Sequence, residues 1–141
     1  LTIVPDLLQV FVYGTLKPGE ANFDRYCGGK TIAVRRAYIA GILYHLPQLG
    51  YPAIAVGEGK VEGFVLSFAD RGVLSNLDDL EDYDPQGNPA DNEYNRQLVT
   101  AHILDDGTKV TAWAYFMTFD RIRQFGGVLI PDGWWIDLTR K

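Results

Sequence analysis

The chain has one cysteine, Cys27, and two histidines, His45 and His102, in 141 residues. A lone cysteine excludes an intramolecular disulfide framework and agrees with a reducing compartment, so a cytoplasmic location is expected. The two histidines lie far apart with no Cys or His partner at ligand spacing, which argues against a metal site and makes both structural or surface residues. Clustered cations are missing as well. Thirteen Lys and Arg against 18 Asp and Glu give a formal charge of −5, which speaks against a nucleic-acid surface. Leu1 to Val12 include Asp6 but no basic region and no small-residue cleavage site, so no signal peptide is expected there. Residues 37–57 carry no Asp, Glu, Lys or Arg. Pro47, Gln48, Gly50 and Pro52 interrupt that run, so two strands around a turn are expected rather than a membrane span.

What is present has the size of a single globular domain, residues 1–141, with 47% hydrophobic residues to form a core. Leu7 to Tyr13 is apolar on both alternating faces, the pattern of a central strand buried on both sides. A short helix over residues 22–27 and an extended segment over 31–45 follow. Strands are expected near 52–56 and 60–68, then a helix with Asp70 as cap and Val73, Leu74, Leu77 and Leu80 at helical spacing. "YDPQGNPADNE", residues 83–93, reads as a loop with three acids that folds over something. Residues 94–104 and 108–118 flank "DDGT", an Asp-Gly hairpin signal. In "GGVLIPDGWWID" an irregular tail is expected, its tryptophans packed on the domain.

The stretch "QVFVYGTLKPGEANFD", residues 9–24, ends a strand on an aromatic residue and a glycine. Gly14 and Gly19 have the spacing of a phosphate loop, but Glu20 and Ala21 stand where Lys and Ser or Thr are required. Neither Ser67 nor Ser75 lies in a nucleophile-elbow sequence. Cys27 reads as a small buried hydrophobe rather than a nucleophile.

"LSNLDDLEDYD", residues 74–84, is the informative segment. At about 100° per residue, Glu81 falls inside the arc of Leu74, Leu77 and Leu80, whereas Asp78, Asp79 and Asp82 fall toward its edge or solvent. Two arrangements are compatible with this. Glu81 either swings outward at the helix end, or is buried with a raised pKa and serves as a general base. Asp78→Asn and Asp82→Asn are expected to be mild. In "EYNRQLV", Tyr94 and Arg96 either line a pocket or end a strand at the surface. Trp113, Tyr115 and Met117 share a face of the kind that is usually core.

Together, Tyr13-Gly14-Thr15-Leu16 after the first strand, "NLDDLED" some 60 residues later and "YNR" before another strand resemble the gamma-glutamylcyclotransferase family. "VFVYGTLKPGEAN", "GYPAI" and "KVEGFVL" are most similar to its gamma-glutamylamine cyclotransferase-like branch, and the resemblance covers roughly residues 9–118. It implies an α+β fold around a small, mixed, barrel-like sheet with a few flanking helices, and a cavity between the first loop and the acidic helix. It also implies release of 5-oxoproline from a small γ-glutamyl amine or amino compound by attack of the substrate's own α-amine, without metal or cofactor. The family's catalytic glutamate falls on Glu81 and its substrate loop on Tyr13, Gly14, Thr15 and Leu16. Tyr94 and Tyr115 complete the substrate-binding candidates. Many family members have glycine directly after that glutamate, where this chain has Asp82. Glutathione is not expected to be the preferred substrate. The rival readings are a non-catalytic module that binds a glutamyl-like ligand in the same pocket, and a structural domain with no pocket.

Overall fold

The computed structural model describes residues 7–137. Residues 1–6, on which part of the signal-peptide reading rests, lie outside the described residues. Five strands close into a mixed barrel: β1 (Leu8–Val12), β2 (Thr31–Leu46), β3 (Tyr51–Phe68), β4 (Asn95–Ile103) and β5 (Lys109–Phe116). Their order is β3-β1-β5-β4-β2, and pairing of β2 with β3 closes the ring. The β1–β5 pair is parallel, with Val10 opposite Trp113, and the other neighbours are antiparallel. Among the described residues three α-helices flank it, α1 (Phe23–Tyr26), α2 (Val73–Leu80) and α3 (Phe119–Gln124), with a 3-10 turn at Pro89–Asp91. None of the helices among the described residues is long and apolar enough to cross a membrane.

β1 is buried on both faces because each face meets a different core. Phe11 joins Ile39, Val61, Val65, Ile103 and Ala112 in a cluster drawn from all five strands, which places it inside the barrel. Leu8, Val10 and Val12 pack outward with Leu66 and Phe68 under Val73 and Leu77 of α2. Burying one such side chain contributes roughly 1.5–3 kcal/mol, and the alternation in β1 binds α2 to the barrel wall.

The two strands expected at 52–56 and 60–68 are halves of one 18-residue strand. Its register against β2 jumps between Ala40 and Ile42, from Ala40↔Lys60 to Ile42↔Ala55. The Gly-rich residues 56–59 are therefore extra length on β3 rather than a break between strands. The hairpin at "DDGT" forms as the dipeptide suggests, with Gly107 at φ 71°. The tail is more regular than expected. Val128–Leu129 form β6, which pairs with Tyr44 and His45 of β2.

At the entry to α2, Asp70 is not the cap residue. The helix starts one residue after Gly72, and the Asp70 carboxylate accepts from the Gly72 N–H at 2.8 Å, forming a turn that leads into the helix. The exit matters more for function. Tyr83 N–H donates to Asp78 O at 2.9 Å and Asp82 N–H to Asp79 O at 3.3 Å, the paired bonds of a Schellman motif. Asp82 occupies its left-handed position with φ 52°. A glycine directly after Glu81 has a conformational basis here, and aspartate meets the same requirement at a steric cost. Asp82→Gly is therefore expected to raise stability by about 0.5–1 kcal/mol. Thermal unfolding measures it, with kcat within about twofold of the parent.

Candidate active site

Glu81 is the first residue past α2, and its N–H still bonds to Leu77 O at 2.9 Å. The Schellman turn that follows holds the chain at this point, so the Glu81 side chain continues the leucine face and lines a cavity at the barrel wall. Among the described residues, none donates a hydrogen bond to its carboxyl, and no buried side-chain oxygen is unsatisfied, so the group opens onto the cavity. Burial first, and the nearby Glu93 carboxylate second, push its pKa up to about 8. Of the two arrangements open at the sequence level, the inward one is observed.

Across the cavity lies the loop that follows β1. Lys17 N–H donates to Gly14 O at 3.0 Å, which makes residues 14–17 a β-turn, and Asn22 N–H bonds to Thr15 O at 2.9 Å. The Asn22 side-chain amide also donates to Thr15 Oγ1 at 2.9 Å. Among the described residues, none accepts from the backbone N–H of Gly14, Thr15 or Leu16, all three of which line the cavity. Only glycine fits at 14, because a Cβ there would stand 2.7 Å from Pro52 Cγ.

From below, the loop is held by a residue whose importance was not apparent in the sequence. Lys17 is 2% exposed; its Nζ donates to Trp135 O at 2.6 Å and stands 3.4 Å from the centroid of the Trp134 ring. Burial, the largest influence, pulls the Lys17 pKa down to about 8. The tryptophan tail thus braces the turn, while Trp135 Nε1–H donates to His45 Nδ1 at 3.0 Å. His102 stacks on Tyr38. Cys27 is fully buried, and burial pushes its thiol up to about 11. Among the described residues, no group of three His, Cys, Asp or Glu side chains is placed to hold a metal ion.

Tyr13, Gly14, Thr15, Leu16, Glu81, Tyr94 and Tyr115 all line this one cavity. The tyrosine hydroxyls, however, already donate within the protein. Tyr13 donates to Tyr115 O at 2.8 Å, Tyr94 to Pro52 O at 2.6 Å and Tyr115 to Asp78 Oδ1 at 2.7 Å. Burial raises the pKa of all three, so they stay neutral and supply walls and fixed dipoles. Asp78 departs from the sequence reading. Instead of a solvated acid it is 7% exposed, and its Oδ1 also accepts from Arg96 Nε at 2.8 Å. Arg96 lies over the Trp113 ring at 4.3 Å and the Tyr83 ring at 5.1 Å, so it belongs to the wall behind the site rather than to the cavity lining. The helical wheel places Asp78 at the edge of the apolar stripe, and that edge is where Arg96 and Tyr115 reach it.

Sequence reasoning missed Tyr51, Asn22 and Glu93 as lining residues. Tyr51 O–H donates to Glu93 Oε1 at 2.8 Å, which ties the end of the acidic loop to the start of β3. Tyr51 was within reach of the sequence, in "GYPAI", whereas nothing in the sequence singled out Asn22 or Glu93.

Residues 10–137 match the model of the gamma-glutamyl cyclotransferase, AIG2-like family. The chain belongs to that family. A protein of Halalkalibacterium halodurans, provisionally named a gamma-glutamylcyclotransferase, is 40% identical over 109 residues, which are 76% of this chain and 88% of that protein. The gamma-L-glutamyl-butirosin B gamma-glutamyl cyclotransferase of Niallia circulans is 31% identical over 112 residues, 79% of this chain and 68% of that one. Among solved structures, an AIG2-like protein of Mus musculus shares the fold with a TM-score of 0.71 at 24% identity, over 92% of this chain and 88% of that one. The expected α+β barrel-like fold is the one observed.

Proposed function

We propose that this gamma-glutamylcyclotransferase-like protein releases 5-oxoproline and a free amine from a γ-glutamyl amine or γ-glutamyl amino compound, with Glu81 as general acid and base. The observation that carries the reading is a cavity with an unpaired carboxyl near neutral pKa on one side and three unsatisfied backbone donors on the other. Ring closure needs no protein nucleophile, since the attacking amine is tethered four atoms from its target and binding has only to hold the near-attack conformer. Among the described residues the lining contains no Lys or Arg, so an anionic oxygen there meets neutral donors. The Gly14, Thr15 and Leu16 amides suit the substrate α-carboxylate or the oxyanion of the tetrahedral intermediate.

The α-amine enters as ammonium. Ionised Glu81 takes a proton from it, the free amine attacks the γ-carbonyl carbon, and the oxyanion forms. As the intermediate collapses, the C–N bond to the leaving group breaks, protonated Glu81 returns its proton to the departing nitrogen, and the second proton of the ring nitrogen passes through the regenerated carboxylate to the released amine, which leaves as ammonium.

Incubation with a panel of γ-glutamyl compounds and detection of 5-oxoproline tests this. Release from at least one γ-glutamyl amine is expected, with glutathione poorer than γ-glutamyl-ε-lysine in direct competition. Folded protein that binds the panel and releases no 5-oxoproline would make this a binding module and overturn the proposal.

A further inference from the structure

We propose that Glu93 selects γ-glutamyl compounds whose leaving amine carries a second positive charge, as in a γ-glutamylated diamine or polyamine. The inference rests on the reaction proposed above and concerns the half of the substrate that reaction leaves unassigned.

It follows from the charge balance within one cavity. Among the described residues, Glu81 and Glu93 are its only charged lining residues. A γ-glutamyl group brings one ammonium and one carboxylate. Glu81 must meet the ammonium, since it takes a proton from it, and the free loop amides match the carboxylate. Glu93 is then an unmatched negative charge beside the reacting centre. Among the described residues, no Lys or Arg pairs with it. Its one hydrogen-bonded neighbour is the Tyr51 hydroxyl, which fixes Oε1 and leaves Oε2 without a protein donor. Arg96, three residues on, is occupied by Asp78, and Arg121, which reaches the same loop, donates to the carbonyl of Ala90 at 3.0 Å.

The position of Glu93 agrees with contact to the leaving group. It ends the acidic 83–93 loop, its N–H is bonded to Asp82 O at 3.1 Å, and it is half-buried. Its carboxylate therefore stands between the cavity and the loop, where the chain beyond the scissile bond would leave. The half-buried carboxylate has one hydrogen bond and no opposite charge beside it, and an ammonium delivered by the substrate supplies that charge only while the right substrate is bound.

The test compares N-(γ-L-glutamyl)putrescine with N-(γ-L-glutamyl)-n-pentylamine, which replaces the distal ammonium with a methyl group. Wild-type protein and Glu93→Gln are assayed for 5-oxoproline release and, by calorimetry, for affinity. Wild type is expected to prefer the cationic compound by roughly 10-fold in kcat/KM. Glu93→Gln should bring the ratio close to one by weakening the cationic compound alone. Removing Glu93 also affects the pKa of Glu81, but that change is common to both substrates and cancels in the ratio. A wild-type ratio near one overturns the proposal. An equal fall for both compounds in Glu93→Gln also overturns it, because Glu93 would then act on the glutamyl half. If neither compound is turned over, the proposed reaction fails first, and the affinities still decide Glu93: equal binding of both compounds overturns its role, and tighter binding of the cationic one that is lost in Glu93→Gln supports it.

Discussion

Glu81→Gln is expected to lower kcat by about 10²-fold or more while making the protein more stable near neutral pH. The two effects share one cause. Burial, then Glu93, hold the Glu81 carboxyl at a pKa of about 8 against an ordinary value of 4.5. Below pH 4.5 the group is protonated in both folded and unfolded chains and contributes nothing to the pH dependence. Between 4.5 and 8 the unfolded chain releases the proton while the folded one keeps it, so stability falls as pH rises. Above pH 8 the cost is constant, on the order of a few kcal/mol. Glutamine has no proton to keep. The variant and wild type should therefore melt together near pH 4 and separate progressively up to about pH 8, with the variant higher. Wild-type kcat/KM should rise with pH through the same region as the base form appears. A bound ammonium favours the carboxylate, so the acid limb of kcat should lie below that of kcat/KM. Thermal melts at several pH values and a pH–rate profile measure both. Retained activity would remove Glu81 from the chemistry, and a variant equally stable or less stable at pH 8 would remove the strain.

The fold was legible where one residue pattern had one physical meaning. A strand apolar on both faces, β1, has to lie between two cores, and it does. The Asp-Gly hairpin and the leucine spacing of α2 were equally direct. Misreadings occurred where the outcome depended on distant partners. Residues 57–59 fall between the two expected strands because glycines weaken a strand pattern, yet the uninterrupted partner β2 carries β3 past them. Glu81 was legible because an acid inside an apolar arc conflicts with its surroundings. Glu93 and Lys17 were not, since a loop acid before an aromatic residue and a lysine before a proline carry no periodic signal. Only the closed barrel brings Lys17 to Trp134 and Trp135, more than a hundred residues later in the chain.

Asp78 shows the same limit, and its replacement is expected to have the largest effect on stability. A surface acid at that position would tolerate asparagine or alanine. The observed Asp78 Oδ1 accepts from both Arg96 Nε and Tyr115 O–H, with the Asp78 and Arg96 side chains only 9% and 15% exposed. Asp78→Ala leaves a largely buried guanidinium and a buried hydroxyl without their acceptor, which costs about 3–5 kcal/mol. That is a large part of a domain stability of roughly 5–15 kcal/mol. Asp78→Asn keeps an acceptor oxygen but loses the charge, so its cost should be intermediate, roughly 1–3 kcal/mol. Asp82→Asn, exposed and able to occupy the left-handed position, should be close to neutral. Removing both charges is the informative control. In Asp78→Ala/Arg96→Met no cation is left buried without a partner, so the double variant should be more stable than Asp78→Ala alone. Activity should follow the same order for a geometric reason. Asp78 ties α2 to β4 and β5, and Glu81 sits at the end of that helix, so loss of the tie loosens the base against the substrate loop. Urea unfolding of the four variants, with kcat measured on the same preparations, tests the chain of effects. Equal stability of Asp78→Ala and Asp82→Asn would show that the ion pair does not hold the helix.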